Sequence, residues 1–273
     1  MDDIISVYCT LYCYPFSLYS IMVKYLIRLI ERSAKSHDGA SRALKIRERL
    51  LDLQHDENIA EWYILDVNRK GQVPTMAIKG DRSRITDSLD ISYWLCDMFP
   101  NLLPCQYEAI IRRLLRDLHD IEGISITIRR RDGPEEDLID PCVDDMLARD
   151  DISPEYRQAL EAKKIFDDSH VPKASHHVNQ LALGRRGGPT VLDAQIVPFV
   201  TRVEDAGRAR LAPETLLRYA AARRASPEWD VVMGGKSTIW RKEYGQVCDT
   251  YDMSADLPPA ATLFVPRPSS GLV

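Results

Sequence analysis

Ser17 stands at a change of pattern. Upstream, Ile4-Ile5-Ser6-Val7-Tyr8-Cys9-Thr10-Leu11 is β-branched and aromatic and runs into Pro15; downstream, Leu18, Ile21, Met22, Tyr25, Leu26 and Leu29 fall at helical spacing. A serine placed at the N-terminus of that helix has free backbone amides beside its hydroxyl. Together they can hold a thiol, whose pKa is ordinarily about 8.5, as the nucleophilic anion. Tyr8, Tyr12 or Tyr14 can donate from a phenol in the same way, and Tyr12 and Tyr14 lie in the loop itself. Cys13, in Cys13-Tyr14-Pro15-Phe16, reads either as a mixed-disulfide nucleophile or as a small buried apolar residue. Further on, Gly71-Gln72-Val73-Pro74-Thr75-Met76 reads as a turn entering an extended segment through an X-Pro peptide. Thr86-Asp87-Ser88 sets an acid and a hydroxyl at a helix start, where Asp87 can pair an ammonium while Ser88 and the helix amides suit a carboxylate. Each of these also reads, taken singly, as an ordinary helix cap or edge-strand proline.

The elements that must position these residues follow from the hydrophobic period. The first strand, the loop and an amphipathic helix succeed one another directly. Leu50 to Leu53 reads as a strand, with a helix over 43–53 as the alternative, and Ile59 to Val67 as a short helix. Residues 84–86 supply a second hairpin strand, and a helix begins near Ser88 with Ile91, Trp94, Leu95 and Met98 on one face. Pro100 and Pro104 then mark a linker, beyond which the pattern is helical only. Tyr107, Ile110, Ile111, Leu114, Leu115, Leu118 and Ile121 form a long stripe opposite Arg112, Arg113, Arg116 and Asp117. Residues 131–155 read as an irregular acidic excursion. Thr190 and Asp193 form a capping-box pair at the start of a helix that turns Leu192, Ile196, Phe199, Val200 and Val203 inward. The expected domains are residues 1–101 (α/β), 105–257 (all-helical) and an extended, proline-rich tail at 258–273.

With 273 residues, 45% of them hydrophobic, two domains fit better than one core or three. A net charge of −5 opposes non-specific binding to nucleic acid or anionic membrane, which points to a small-molecule partner. The acidic start Met1-Asp2-Asp3 does not read as a signal peptide, and Lys24, Arg28 and Glu31 interrupt the apolar run behind it. Six scattered cysteines (9, 13, 96, 105, 142 and 248) read as reduced thiols in a cytoplasmic protein, without the paired spacing of a zinc or dithiol site. His170, His176 and His177 lack partners at ligand spacing, so no metal is expected, and the clusters Arg129-Arg130-Arg131 and Arg185-Arg186 read as solvated faces.

Taken in order, Ser17-Leu18-Tyr19-Ser20 with Val23-Lys24, the Val73-Pro74 loop, Asp87-Ser88 and Thr190-Val191-Leu192-Asp193-Ala194 with Pro198 resemble the serine-type glutathione transferase family. Leu18 replaces the usual proline after the serine, and Asn68-Arg69 replaces the common Asn-Pro. The resemblance implies a thioredoxin-like N-terminal domain with a mixed four-stranded sheet, followed by an all-α domain. It implies glutathione as the cofactor: Ser17 at the sulfur, the backbone beside a cis Pro74 pairing with the cysteinyl unit through Val73, Gln72 at the glycyl end, and Asp87 and Ser88 at the glutamyl end. It further implies a second, apolar electrophile held by the first long helix, with Tyr12, Tyr107, Ile111, Arg112 and Arg116 as candidate contacts. Thiolate addition leads either to conjugation or, if the thiolate is expelled after bond rotation, to olefin isomerisation; a non-catalytic binding module is the third reading. The nearest likeness is to fungal proteins of natural-product pathways, and a homodimer is expected by resemblance.

Overall fold

The computed structural model describes residues 5–33, 40–121, 143–169, 189–245 and 261–266. Strand β1 (Ile5–Cys13) runs along the middle of a sheet, turning Cys9, Leu11 and Cys13 into the core while Tyr8 and Tyr12 point to the other face. Helix α1 (Leu18–Ser33) crosses over to β2 (Ala40–Leu50), which pairs parallel to β1 from Ile5↔Arg42 to Cys13↔Leu50. A short helix α2 (Glu61–Asp66) leads to the hairpin β3 (Thr75–Ile78) and β4 (Arg84–Ile85), with β3 antiparallel to β1. Helix α3 (Ser88–Met98) returns across the sheet.

The mixed sheet is the expected one with one strand more. Its order is β4-β3-β1-β2-β5, and the added strand β5 (Ala261–Pro266) lies antiparallel to β2. Part of the stretch expected to be an extended tail is therefore a sheet edge. Ala261 and Leu263 are buried, an alternation concealed by neighbouring prolines, and an edge strand tolerates Pro266 because its outer N–H needs no partner. β2 occupies most of the 43–53 segment for which a helix was the alternative. There Leu44, Ile46 and Leu50 face inward, and Glu48 continues the same face only because Lys24 (2.9 Å) and Arg28 (3.2 Å) on α1 neutralise it.

The helical part begins after two short turns at Pro100–Leu102 and Cys105–Tyr107. It comprises α4 (Glu108–His119), α5 (Val143–Leu147), α6 (Pro154–Ser169), α7 (Val191–Asp205), α8 (Glu214–Arg224) and α9 (Pro227–Met233) among the described residues. Helix α1 is buried nearly all round because it is sandwiched: the sheet covers one side, and α7 and α9 cover the other, where Tyr25 meets Trp229 edge-on at 5.3 Å. The two parts thus share one continuous core, running from Leu11 and Ile46 through α1 to Phe199 and Trp229. Among the described residues no helix is long and apolar enough to cross a membrane.

Candidate functional site

The registers Tyr12↔Thr75 and Met76↔Ile85 bring the C-terminal end of β1, the N-terminal end of β3 and the C-terminal end of β4 to the same end of the sheet. The three motif segments follow or precede those strand ends directly, so Ser17, Val73-Pro74 and Asp87-Ser88 converge there although 70 residues of chain separate Ser17 from Asp87.

Ser17 caps α1. Its carbonyl accepts from Ile21 N–H (2.9 Å), its Oγ accepts from Ser20 N–H (3.4 Å), and its own N–H closes a turn onto Tyr14 C=O (3.1 Å). Capping uses a lone pair of Oγ and leaves the hydroxyl hydrogen available to donate. The loop before it is held from within by Tyr14 N–H donating to Ser20 Oγ (3.3 Å).

The Val73–Pro74 peptide is cis. Gln72 C=O is fixed by Tyr63 Oη (2.7 Å) and Asn68 Nδ2 (2.9 Å), and Gly71 C=O by Asn58 Nδ2 (2.8 Å), so the turn before the proline is pinned by three buried side chains. Gly71 has φ +57° and its missing Cβ would stand 2.9 Å from Lys163 Cδ, which explains glycine there. Among the described residues no hydrogen bond is made by the N–H or C=O of Val73. The Gln72 side chain is exposed beside it.

Asp87 is exposed, and its Oδ1 accepts from the N–H groups of Leu89 (2.8 Å) and Asp90 (3.2 Å), so Asp87 rather than Ser88 is the cap of α3. Ser88 is buried one residue inside the helix. The second carboxylate oxygen, Oδ2, takes no part in the cap and can accept from a cationic donor.

No family model matches this sequence, and no curated protein matches it. Among solved structures, a glutathione transferase homologue from Sulfitobacter with bound glutathione superposes with a TM-score of 0.52 at 16% identity, over 88% of this chain and 99% of that one. The chain has the glutathione transferase fold. Also similar are a maleylacetoacetate isomerase from Anaeromyxobacter dehalogenans with glutathione bound (TM-score 0.49, 21% identity, 83% of this chain and 95% of that one) and glutathione transferase Omega 3C from Trametes versicolor (0.48, 17%, 84% and 85%).

Within this transferase fold the remaining candidates divide. Tyr14 stays beside Ser17 but is buried against Phe16, edge to face at 5.8 Å. Tyr12 faces the other side of the sheet, where it packs on Trp62 and Tyr63 (5.8 Å between the tyrosine rings) under the Arg49 guanidinium, so its ring is taken up in packing. Tyr8 lies along the sheet between Lys45 and Lys79. Cys13 is fully buried, and desolvation, with Glu48 adding to it, pushes its thiol up to about 12, away from the thiolate that a nucleophile needs. Burial pushes Cys9 and Cys96 up to about 12 as well, whereas Cys105 is exposed. A thiol reagent applied to the native protein should therefore label Cys105 quickly and leave Cys9, Cys13 and Cys96 unmodified until unfolding, as read by peptide mass spectrometry; rapid native labelling of Cys13 would reinstate it as a redox centre.

The residues expected to contact a second substrate do not gather on one face. Ile111 belongs to the main core, and Arg112 is tied to Glu108 (2.8 Å) and lies over the Tyr93 ring of α3 (4.3 Å), while Tyr107 and Arg116 are solvent-exposed. The end of α4 that approaches α1 is instead His119, 5.6 Å from the Tyr19 ring. Next to Ser17, Tyr244 stacks on Phe16 (5.5 Å, 8°), and Trp240, like Leu53 and Val73, packs against the Tyr14–Phe16 pair. Arg202 of α7 reaches the same loop, donating from Nη2 to Phe16 C=O (2.7 Å). A separate open depression between α2 and α5–α6 is lined by His55, Asp56, Glu61, Arg149, Asp151 and Tyr156, none of them a motif residue. Cys142, Cys248, His170, His176, His177 and the two arginine clusters lie outside the described residues.

Proposed function

We propose that this chain is a glutathione transferase-like enzyme that holds glutathione where the strand ends converge and activates its thiol for addition to an apolar electrophile. The observation that carries this reading is the backbone of Val73: an N–H and a C=O beside a cis proline, unused by the described chain, are what an extended cysteinyl unit needs in order to add as a further strand. Ser17 then donates its free hydroxyl hydrogen to the sulfur at the start of α1, where the helix dipole also favours an anion. Asp87 pairs the glutamyl ammonium through the oxygen not used in capping, the Ser88 amide at the start of α3 favours the glutamyl carboxylate, and Gln72 meets the glycyl end.

The electrophile lies against Phe16, Trp240 and Tyr244, with Tyr107 and Arg116 available only from the outer face of α4. Release of the adduct gives conjugation, and re-expulsion of the thiolate after rotation gives isomerisation; both begin with the same thiolate. A cytoplasmic homodimer acting on a dedicated secondary metabolite is the setting this reading implies.

Calorimetric titration of glutathione into wild type, Asp87→Asn and Asp87→Ala tests it. Asparagine is as good a cap as aspartate, so Asp87→Asn should keep its melting temperature yet lose about tenfold in affinity, the equivalent of about 1.4 kcal/mol. Asp87→Ala should lose the same affinity and in addition about 1 kcal/mol of stability. Unchanged affinity in both variants would remove Asp87 from the site, and absence of binding by wild type at millimolar glutathione would favour a non-catalytic module.

A further inference from the structure

Arg202 is a cation in a place that burial makes costly. It sits in the last turn of α7, 5% exposed, and donates to Phe16 C=O (2.7 Å), Thr238 C=O (2.7 Å) and Thr238 Oγ1 (3.1 Å). Asp205, one turn on, accepts from the N–H and the hydroxyl of Thr238 (2.7 Å each), so the carboxylate is linked to the guanidinium through Thr238, on the far side from the loop. Burial lowers the Arg202 pKa to about 10, with Asp205, Tyr19 and Tyr14 acting in the opposite direction, and the group remains cationic at neutral pH. An amide or a hydroxyl would hold a carbonyl with a smaller desolvation cost than a guanidinium. What the cation adds is charge, placed behind the peptide that joins Phe16 to Ser17.

We propose that Arg202 is a positioning residue of the second domain that fixes the Ser17 loop and lends it a buried positive charge favouring the thiolate of bound glutathione. The inference rests on the functional reading above. Its physical basis is twofold: donation from a cation to Phe16 C=O strengthens the Ser17 N–H bond to Tyr14 C=O and so holds the turn that carries the Ser17 hydroxyl, and in a poorly hydrated interior a full charge acts over a longer range than in water. Among the described residues the titratable groups that act on Arg202 are Asp205 on its own helix, Tyr14 in the loop and Tyr19 on α1, whose ring is also met by His119 of α4.

The test is a pH titration of the ultraviolet thiolate absorbance of enzyme-bound glutathione in wild type, Arg202→Met, Arg202→Lys and Asp205→Asn, with kcat and glutathione KM measured in parallel. Arg202→Met should raise the thiol pKa by about one unit, cutting the thiolate fraction by up to about tenfold at pH values below the wild-type pKa, with KM changed less than about threefold. Arg202→Lys should restore part of the shift, and Asp205→Asn should move the pKa the other way. A merely structural role would loosen the loop in either variant and shift both in the same direction; that result, or an unchanged pKa in Arg202→Met, overturns the proposal. If Arg202→Met does not fold, the opposed shifts of Arg202→Lys and Asp205→Asn carry the test. Flat variants beside a wild-type thiolate band overturn this inference alone, whereas no band in wild type overturns the functional reading and the inference with it.

Discussion

Asp193→Ala should lower the melting temperature by about 10 °C, the largest loss of stability expected from any single polar residue described here. The carboxylate is buried at the start of α7, where its Oδ2 accepts from Thr190 N–H (2.6 Å) and Thr190 Oγ1 (2.8 Å) and its Oδ1 accepts from Tyr219 Oη of α8. Truncation leaves a backbone amide and two hydroxyls without their acceptor in the interior, at about 1–3 kcal/mol each and less than additively. A total of about 4 kcal/mol at roughly 2–4 °C per kcal/mol for a chain of this size gives the stated shift. The helix concerned is buried along most of its length and spans the core against α1, so the loss is global and not confined to one end. Asp193→Asn keeps one acceptor and should fall between the two. A shift below about 3 °C in Asp193→Ala, measured by differential scanning calorimetry, would mean that water replaces the carboxylate and that this cap is not a keystone of the helical part.

Ser17→Ala should reduce turnover with an electrophilic acceptor by roughly 10²–10³-fold, the usual effect of deleting a hydrogen-bond donor aimed at a developing or stabilised anion. Glutathione affinity should change little, since the backbone of Val73 and the start of α3 remain intact. The thiolate absorbance of the complex should vanish at neutral pH. Some stability is lost as well, about 1 kcal/mol, because Ser17 also accepts from Ser20 N–H. Turnover within about threefold of wild type would assign the donor role elsewhere, with Tyr14 the first residue to examine because Tyr12 is committed to the Trp62 and Tyr63 packing.

These residues were legible in the sequence to different degrees, for physical reasons. Ser17 was visible because strand period gives way to helix period within one short loop, and Asp193 because its spacing from Thr190 is that of a capping box. β2 was ambiguous because Glu48 breaks an inward-facing row whose neutralising partners, Lys24 and Arg28, lie some 20 residues earlier on another element. β5 was hidden by composition, since prolines conceal the alternation of Ala261 and Leu263. Ile111 and Arg112 were placed at a pocket by likeness, whereas the amphipathic stripe itself already put Ile111 inward with Leu114, Leu115 and Leu118. Arg202 left one trace: a cation set among Phe199, Val200 and Val203 on a helix buried on every side. Its partner, the carbonyl of Phe16, is 186 residues distant in sequence, and no local pattern reports such a pairing.

The placement of β5 has a consequence for how the molecule is made. The sheet that carries Ser17 and Val73 is completed by Ala261–Pro266, which pairs with a strand more than 200 residues earlier. During synthesis the outer edge of β2 therefore waits, unpaired by its native neighbour, until nearly all the described chain has left the ribosome. The half of the fold that is translated first is the one finished last. Contacts of such long range slow folding, and through that interval an open strand edge is the surface most exposed to wrong partners, which makes β5 the natural safeguard against aggregation through β2.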